Sequence, residues 1–299
     1  MKPMVKMLSL VLSLLTVQTV MMAGSGRFVL RREVQAEFHA PGGNVAKPGP
    51  LAYAIALDAF TPLSRFGVLD ISTGVFHLIA DLPPDSTQGI ARDAEGKLYG
   101  VDSGNNLFQI DPGNGKARVI GGTGITTPGP KGPMLVDVIA SLADGELFLM
   151  DFSNNLYSVN RETGAATLIG ATGIQTIVPG HYSSSLAGDC DNLFFTLWEV
   201  DGEGNTLISP TLYRIDPRTA ATTPVGATAT FMPGSGFIDG TLYGFTIDTR
   251  LIGFTEGPHV LSIDISTGAT TIVSDLNVPG LVGAVRFAGV KAGTCKGSR

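Results

Sequence analysis

The sequence predicts an all-β fold, a five-bladed β-propeller, and three observations carry that reading. A unit of four short strand-like runs recurs along the chain. The turns between the third and fourth runs keep a steady spacing, with Gly74, Gly115, Gly164, Ala220 and Gly268 falling 41, 49, 56 and 48 residues apart. The two ends of the chain hold complementary fractions of one unit. A period of roughly 40 to 50 residues with four strands per unit is the signature of a propeller blade. Charged residues make up only 15% of the 299-residue chain and glycine occupies 39 positions, which suits short strands joined by turns and argues against disorder or a coiled coil.

Residues 1–25 read as an export signal. Lys2 and Lys6 precede an apolar run from Met7 to Ala23 that ends in small residues, the layout of a cleaved leader. Ser9, Ser13, Thr16, Gln18 and Thr19 interrupt that run, whereas a spanning helix needs about 20 predominantly apolar residues. The expectation is a secreted or periplasmic protein with no stable membrane span after cleavage. The net charge is −6, and loss of the two lysines makes it more negative. An acidic chain lacks the basic face that nucleic-acid phosphates demand, so no nucleic-acid partner is expected.

Residues 26–50 form a leader or clasp, punctuated by Pro41, Gly42, Gly43, Pro48, Gly49 and Pro50. The propeller is assigned to residues 51–289. Its first unit reads LAYAIALD, RFGVLDISTG and VFHLIADL, three strands. The second, from Gln88 to Gly122, reads QGIARDAEG, KLYGVDSGNN, LFQIDPGNG and KARVIGG, four strands. The third, Val136 to Gly170, reads DVIASLADG, ELFLMDFSNN, LYSVNRETG and AATLIG. The fourth, Ser184 to Gly226, reads SSLAGDCDN and LFFTLWEVDGEGN, then a proline-containing connection, TLYRIDPRTA and ATTPVG. The fifth, Ser235 to Ser274, reads GFIDG, TLYGFTID, a longer connection, HVLSIDISTG and ATTIVS. What remains is one strand, LVGAVRFAG, Leu281 to Gly289, resembling the first-strand segment GIARDAE. The first unit lacks its inner strand and the C-terminus supplies one, so the two ends are expected to complete one blade and remove the edges of an open array. A monomer is expected. Residues 290–299 are a tail.

The repeats LYGVD…NNLFQIDP and LFLMD…NNLYSVNRETGAATLIG resemble those of secreted bacterial β-propeller proteins with an L-Y-x-I-D-x-x-T-G repeat, a group largely without assigned activity. The resemblance covers about Leu51 to Gly289 and implies fold rather than function, because the repeat residues are those that make blades. Five-bladed propellers also include glycoside hydrolases, plant-type glutaminyl cyclases and sugar-binding lectins, and none of their residue sets maps onto this chain.

In a propeller, the loops joining strands two and three and those joining successive blades lie on one face, the top. Asp58, Asp102, Asp151, Asp201 or Glu199, and Asp248 stand at the ends of second strands. Facing one rim they could bind a cation such as Ca²⁺ through several oxygens, with Asp102, Asp151 and Asp248 as metal candidates. Alternatively they cap turns beside Asn105, Asn106, Asn154 and Asn155. The blade-to-blade segments GGTGITTPGPKGP, GATGIQTIVPGHY and GATATFMPGSG should wall the mouth. His181 and Tyr182 end one of them, and Trp198, the sole tryptophan, precedes Glu199 in the longest loop of blade four. An aromatic beside polar groups can stack a sugar ring or clamp a peptide, and the same residues can serve packing alone.

Ligand candidates are therefore His181, Tyr182, Trp198, Asp102 and Asp248. The expected function is a non-enzymatic exported scaffold that binds a small-molecule, carbohydrate, peptide or protein ligand. The alternative is a hydrolase or lyase at the same mouth, using Asp137, Asp151, His181 and Glu199, since glycosidase chemistry needs paired carboxylates. No motif calls for a cofactor. Cys190 and Cys295 are the only cysteines. Both should emerge at the bottom face, where an oxidising compartment would favour their pairing.

Overall fold

The computed structural model describes residues 50–57, 64–82, 89–126, 136–177, 182–201, 205–228, 232–246, 258–278 and 285–287. They form five four-stranded antiparallel sheets in a five-bladed β-propeller. Blade one holds β1 (Leu51–Leu57), β2 (Ser64–Asp70) and β3 (Phe76–Leu82). Blade two holds β4 (Ile90–Arg92), β5 (Leu98–Val101), β6 (Asn106–Ile110) and β7 (Ala117–Gly122). Blade three holds β8 (Val136–Ser141), β9 (Leu147–Asp151), β10 (Asn155–Val159) and β11 (Ala166–Ala171). Blade four holds β12 (Tyr182–Gly188), β13 (Leu193–Val200), β14 (Thr206–Ile215) and β15 (Thr222–Ala227). Blade five holds β16 (Gly234–Ile238), β17 (Thr241–Phe245), β18 (His259–Ile263) and β19 (Thr270–Asp275). The last strand, β20 (Val285–Phe287), pairs with β1, so blade one has the order β20-β1-β2-β3.

Two sets of contacts close the ring. The innermost strands touch in a cycle: β20 meets β4, β4 meets β8, β8 meets β12, β12 meets β16 and β16 meets β20. Five apolar cores fill the five gaps between neighbouring blades. The core between blades five and one joins Ala54, Leu69 and Phe76 to Ile238, Phe245 and Val260. Alternation along each strand sends successive residues to the cores on either side of the blade. On β13, for example, Phe194 packs toward blade five and Phe195 toward blade three.

The turn before each fourth strand does two jobs. Asp70, Asp111, Asn160, Asp216 and Asp264 accept hydrogen bonds from backbone N–H groups two residues on. The Ser72 hydroxyl and two backbone N–H groups hold the Asp70 carboxyl below its usual range, in spite of partial burial that pushes it up. The residue that ends each turn is left-handed and docks on a neighbouring blade. Gly164 has φ +82° and packs against the backbone of Gly121 in β7. At the seam of blades five and one, the Ser274 hydroxyl donates to the Ile71 carbonyl at 2.8 Å and the Asn277 N–H donates to the Gly74 carbonyl at 2.9 Å.

Each outer strand carries one β-bulge, at Ile79, Ile120, Ile169, Val225 and Val273. A bulge twists an edge strand and interrupts the regular row of backbone groups that a second chain could pair with.

Blade four departs from the expected layout. The stretch read as a proline-containing connection is the first half of β14, and Trp198 lies in β13 rather than in a loop. Pro210 has no N–H to give a ladder, and the register breaks there, with Leu197 opposite Thr211 but Glu199 opposite Ile208. The irregularity lets the hairpin continue past the proline. No helix among the described residues is long and apolar enough to cross a membrane. The expected signal, nearly all of the leader or clasp, the tail, Asp58 and Cys295 lie outside the described residues.

Candidate functional site

The top face of blades two to four is built on one turn module. In blade two, the Asp102 carboxylate accepts the Asn106 backbone N–H at 2.8 Å and its side-chain amide at 3.2 and 3.1 Å. In blade three, Asp151 accepts the N–H groups of Ser153 and Asn155, each at 2.9 Å. Its second oxygen accepts the Asn155 amide and the Tyr157 hydroxyl, each at 2.9 Å. In blade four, Asp201 accepts the Asn205 N–H and amide, both at 2.8 Å. Asn105 and Asn154 take the left-handed conformation that these turns require, with φ of 60° and 58°. These carboxylates therefore spend acceptors on their own hairpins. No group of three or more His, Cys, Asp or Glu among the described residues could hold a metal ion. Asp248 and His181 lie outside the described residues.

Asp137 sits at a β-bulge on the innermost strand of blade three, between Val136, which pairs with Asp151, and Val138, which pairs with Met150. Tyr182 is the first residue of β12 and pairs with Glu199. Glu199 is completely buried, and its carboxylate accepts the Ile177 N–H at 2.8 Å. It thus ties the connection arriving from blade three to the blade-four hairpin. Trp198 is half-buried at the register break of β13, and its indole N–H donates to the Thr206 hydroxyl at 3.4 Å.

The beginnings of the long connections are anchors. The Thr172 N–H and hydroxyl both donate to the Asn154 carbonyl, at 3.1 and 2.8 Å, and the Asn154 amide donates to the Ile174 carbonyl at 3.1 Å. Ile174 and its counterpart Ile125 insert into interblade cores. The T-G-I triplets in GGTGIT and GATGIQ thus fix the root of each connection. Between blades four and five Met232 enters the core beside Gly244, and polar groups stand next to it. The Ser185 and Thr196 hydroxyls share a hydrogen bond of 2.7 Å, and the buried Ser235 hydroxyl has no partner, nor does that of Thr228.

A second polar cluster, unforeseen from sequence, lies on the bottom face. Arg161 of blade three reaches Asp93 and Glu95 of blade two, at 3.0 Å each, and Tyr99 donates to Asp93 at 3.2 Å. Burial, with the Asp93 charge beside it, pushes the Tyr99 phenol up to about 12. Arg161 also lines a cavity of about 360 Å³ with Asp144, Glu146, Leu147, Ser158 and Val159. Only its place in RETG, where the other units have Ile or Pro at that turn position, marks it in the sequence. Cys190 sits in the turn after β12, also at the bottom.

The fold and these sites define a five-bladed propeller without an attached family. No protein-family model and no curated protein matches the sequence. Among solved structures, the chain is similar to TolB from Acinetobacter baumannii, with TM-score 0.44 and 15% identity over 76% of this chain and 53% of that one. It therefore spans about half the length of that protein. It is also similar to a protein of unknown function from Bacteroides caccae, with TM-score 0.42 and 13% identity over 80% of this chain and 98% of that one.

Proposed function

We propose that the chain is an exported, monomeric, non-enzymatic binding scaffold whose top-face loops recognise a carbohydrate, peptide or protein ligand. The observation that carries this reading is the use of the rim carboxylates: Asp102, Asp151 and Asp201 each accept two or more bonds from their own hairpin. A general acid, base or nucleophile must instead turn toward substrate. The departure from regularity in blade four, where Trp198 and Glu199 extend the hairpin, supplies the distinctive recognition surface. His181, Tyr182 and Asp248 are proposed to complete it.

The test is a pull-down and a glycan array, run beside hydrolase and lyase turnover screens. Binding without turnover, weakened by Trp198→Ala, is expected. Turnover abolished by Asp137→Asn would overturn the reading in favour of an enzyme at the same mouth. Export is checked by fusing residues 1–50 to a phosphatase reporter that is active only outside the cytoplasm. In an exported chain Cys190 and Cys295 are proposed to pair, closing a loop of about 100 residues for which chain entropy gives on the order of 4 to 5 kcal/mol. Mass spectrometry of the unreduced protein should find no free thiol, and two free thiols would remove the disulfide.

A further inference from the structure

We propose that the top end of the seam between blades four and five is a subsite for one saccharide ring, a neutral polyhydroxylated group held by the Trp198 indole and the hydroxyls of Ser185, Thr196 and Ser235. The proposal deepens the binding reading above and rests on it. Its geometry follows from register. On β13, Phe194 packs in the core shared with blade five and Leu197 in the core shared with blade three. Pairing with β12 runs unbroken from Leu193 to Glu199, so alternation puts Thr196 and Trp198 on the blade-five side. Glu199 falls on the opposite side, in agreement with its bond to Ile177 in the connection from blade three.

On β12, Ala187 belongs to the blade-five core, so Ser185 faces the same way. On β16, Phe237 belongs to that core, so Ser235 faces blade four. β12 and β16 are the innermost strands of adjacent blades, in contact and running in one direction. By register, Ser185 and Thr196 stand at the level of Gly234 above the apolar core, Ser235 lies one residue deeper on β16, and Trp198 stands one same-face step higher on β13.

Two facts set this end of the seam apart. By pairing register, the residues equivalent to Thr196 in the other blades are Ile55, Val101, Met150 and Phe245, all apolar. Blade three fills the level with Val138 and Met150, where blade four has the hydrogen-bonded pair Ser185 and Thr196. In addition, the Ser235 side chain is only 4% exposed and its hydroxyl has no hydrogen-bond partner. A buried polar group without a partner marks a place where something outside the chain supplies the bond. Hydroxyls can donate or accept by rotation, as a sugar's own hydroxyls do, and an indole packs against the C–H face of a ring. The groups at this end of the seam carry no charge, which matches a neutral ligand.

Trp198 is the only tryptophan in the chain, so its emission reports on this seam alone. Titrating the purified protein with glucose, galactose, N-acetylglucosamine, maltose and cellobiose should give a saturable emission change with at least one. Ser235→Ala should leave the melting temperature of the free protein unchanged or raised, because the hydroxyl has no partner to lose, while weakening that saccharide about three- to tenfold. Calorimetry on Trp198→Phe should read a loss of about tenfold. Saccharide binding that neither moves the Trp198 emission nor responds to Ser235→Ala would overturn the subsite and leave the binding reading standing. Capture of a peptide or protein with no response to any saccharide would do the same. So would a crystal structure of the saccharide complex in which a water still holds the Ser235 hydroxyl. Binding of nothing in any class would sink both.

Discussion

Blades three and four are written in the same repeat, yet they set the same turn module at different heights. In blade three, β9 and β10 have five residues each, and Asp151 closes the hairpin as the last residue of β9. In blade four, β13 has eight residues and β14 has ten, and Leu197 occupies the position equivalent to Asp151. The hairpin runs on through Trp198, Glu199 and Val200 before Asp201 and Asn205 close it with the same pair of bonds that Asp151 makes to Asn155. The turn is thus a portable unit, and moving it outward exposes new side chains without disturbing the sheet below. In blade three the module is part of the core, while in blade four it caps an extension.

The strongest test of that difference is the pair Asp151→Ala and Asp201→Ala. Asp151 is 1% exposed and accepts four hydrogen bonds, one from the buried Tyr157 hydroxyl. Its loss removes four hydrogen bonds, one of them in the buried core, and should cost about 3 kcal/mol. Asp201 closes an exposed tip, where water replaces the carboxylate, and its loss should cost about 1 kcal/mol or less. Urea unfolding of the two variants measures both. Equal costs would mean that the two turns are energetically the same and that height in the blade is irrelevant.

A second contrast concerns the docking turn of each blade. Gly164 in blade three is left-handed, and a methyl group there would collide with the Gly121 carbonyl of blade two. Gly164→Ala should therefore cost about 2 kcal/mol, part from the unfavourable φ and part from displaced backbone at the seam. A thermal melt reads it directly. No loss would show that the seam is loose enough to give way.

Glu199 lies in the extension of blade four, and it holds the connection from blade three by accepting the Ile177 N–H. Glu199→Gln keeps an acceptor at that place and should cost about 1 kcal/mol, whereas Glu199→Ala should cost about 2 kcal/mol and leave the Ile177 N–H unpaired. Hydrogen exchange at Ile177 should accelerate in the alanine variant and much less in the glutamine one. The same rate in both would mean that the carboxylate does not hold the connection.

Much of this architecture was legible from one residue class. The turn glycines and the acidic or amide residue before them mark a local backbone conformation, and local conformation is what sequence encodes most directly. They located the third and fourth strands of every blade and the missing inner strand of blade one. The rim turns were equally readable, since Asp102 with Asn106 and Asp151 with Asn155 are close in sequence. Blade four resisted for a physical reason: Ser209 and Pro210 together stand opposite Trp198, a bulge in β14 that breaks its two-residue alternation, so a continuous strand looks like a loop. The contact of Arg161 with Asp93 joins residues 68 apart, and no local pattern forecasts it. The hydroxyl pair of Ser185 and Thr196, with Ser235 one residue deeper across the seam, became visible only when register placed equivalent residues of five blades side by side.

The smallest expected effect separates the same two blades most finely. Ala220 stands in blade four where Gly164 stands in blade three, at φ +60°, an unusual place for a residue with a Cβ. The docking is looser here: a Cβ on Gly170 of β11 would stand 3.5 Å from the Ala220 methyl, an ordinary contact, whereas one on Gly121 of β7 would meet the Thr163 carbonyl oxygen at 2.3 Å. That methyl is fully buried in the core between blades three and four. Ala220→Gly would relieve about 1 kcal/mol of left-handed strain. It would also remove a buried methyl worth about 1 kcal/mol and add unfolded-state entropy. The sum is a change within about 1 kcal/mol of zero, against the clear loss expected for Gly164→Ala. A large destabilisation by Ala220→Gly would mean that the methyl is a packing element specific to this seam, and that the seam joining blades three and four is held by side chains where the seam joining blades two and three is held by backbone contact.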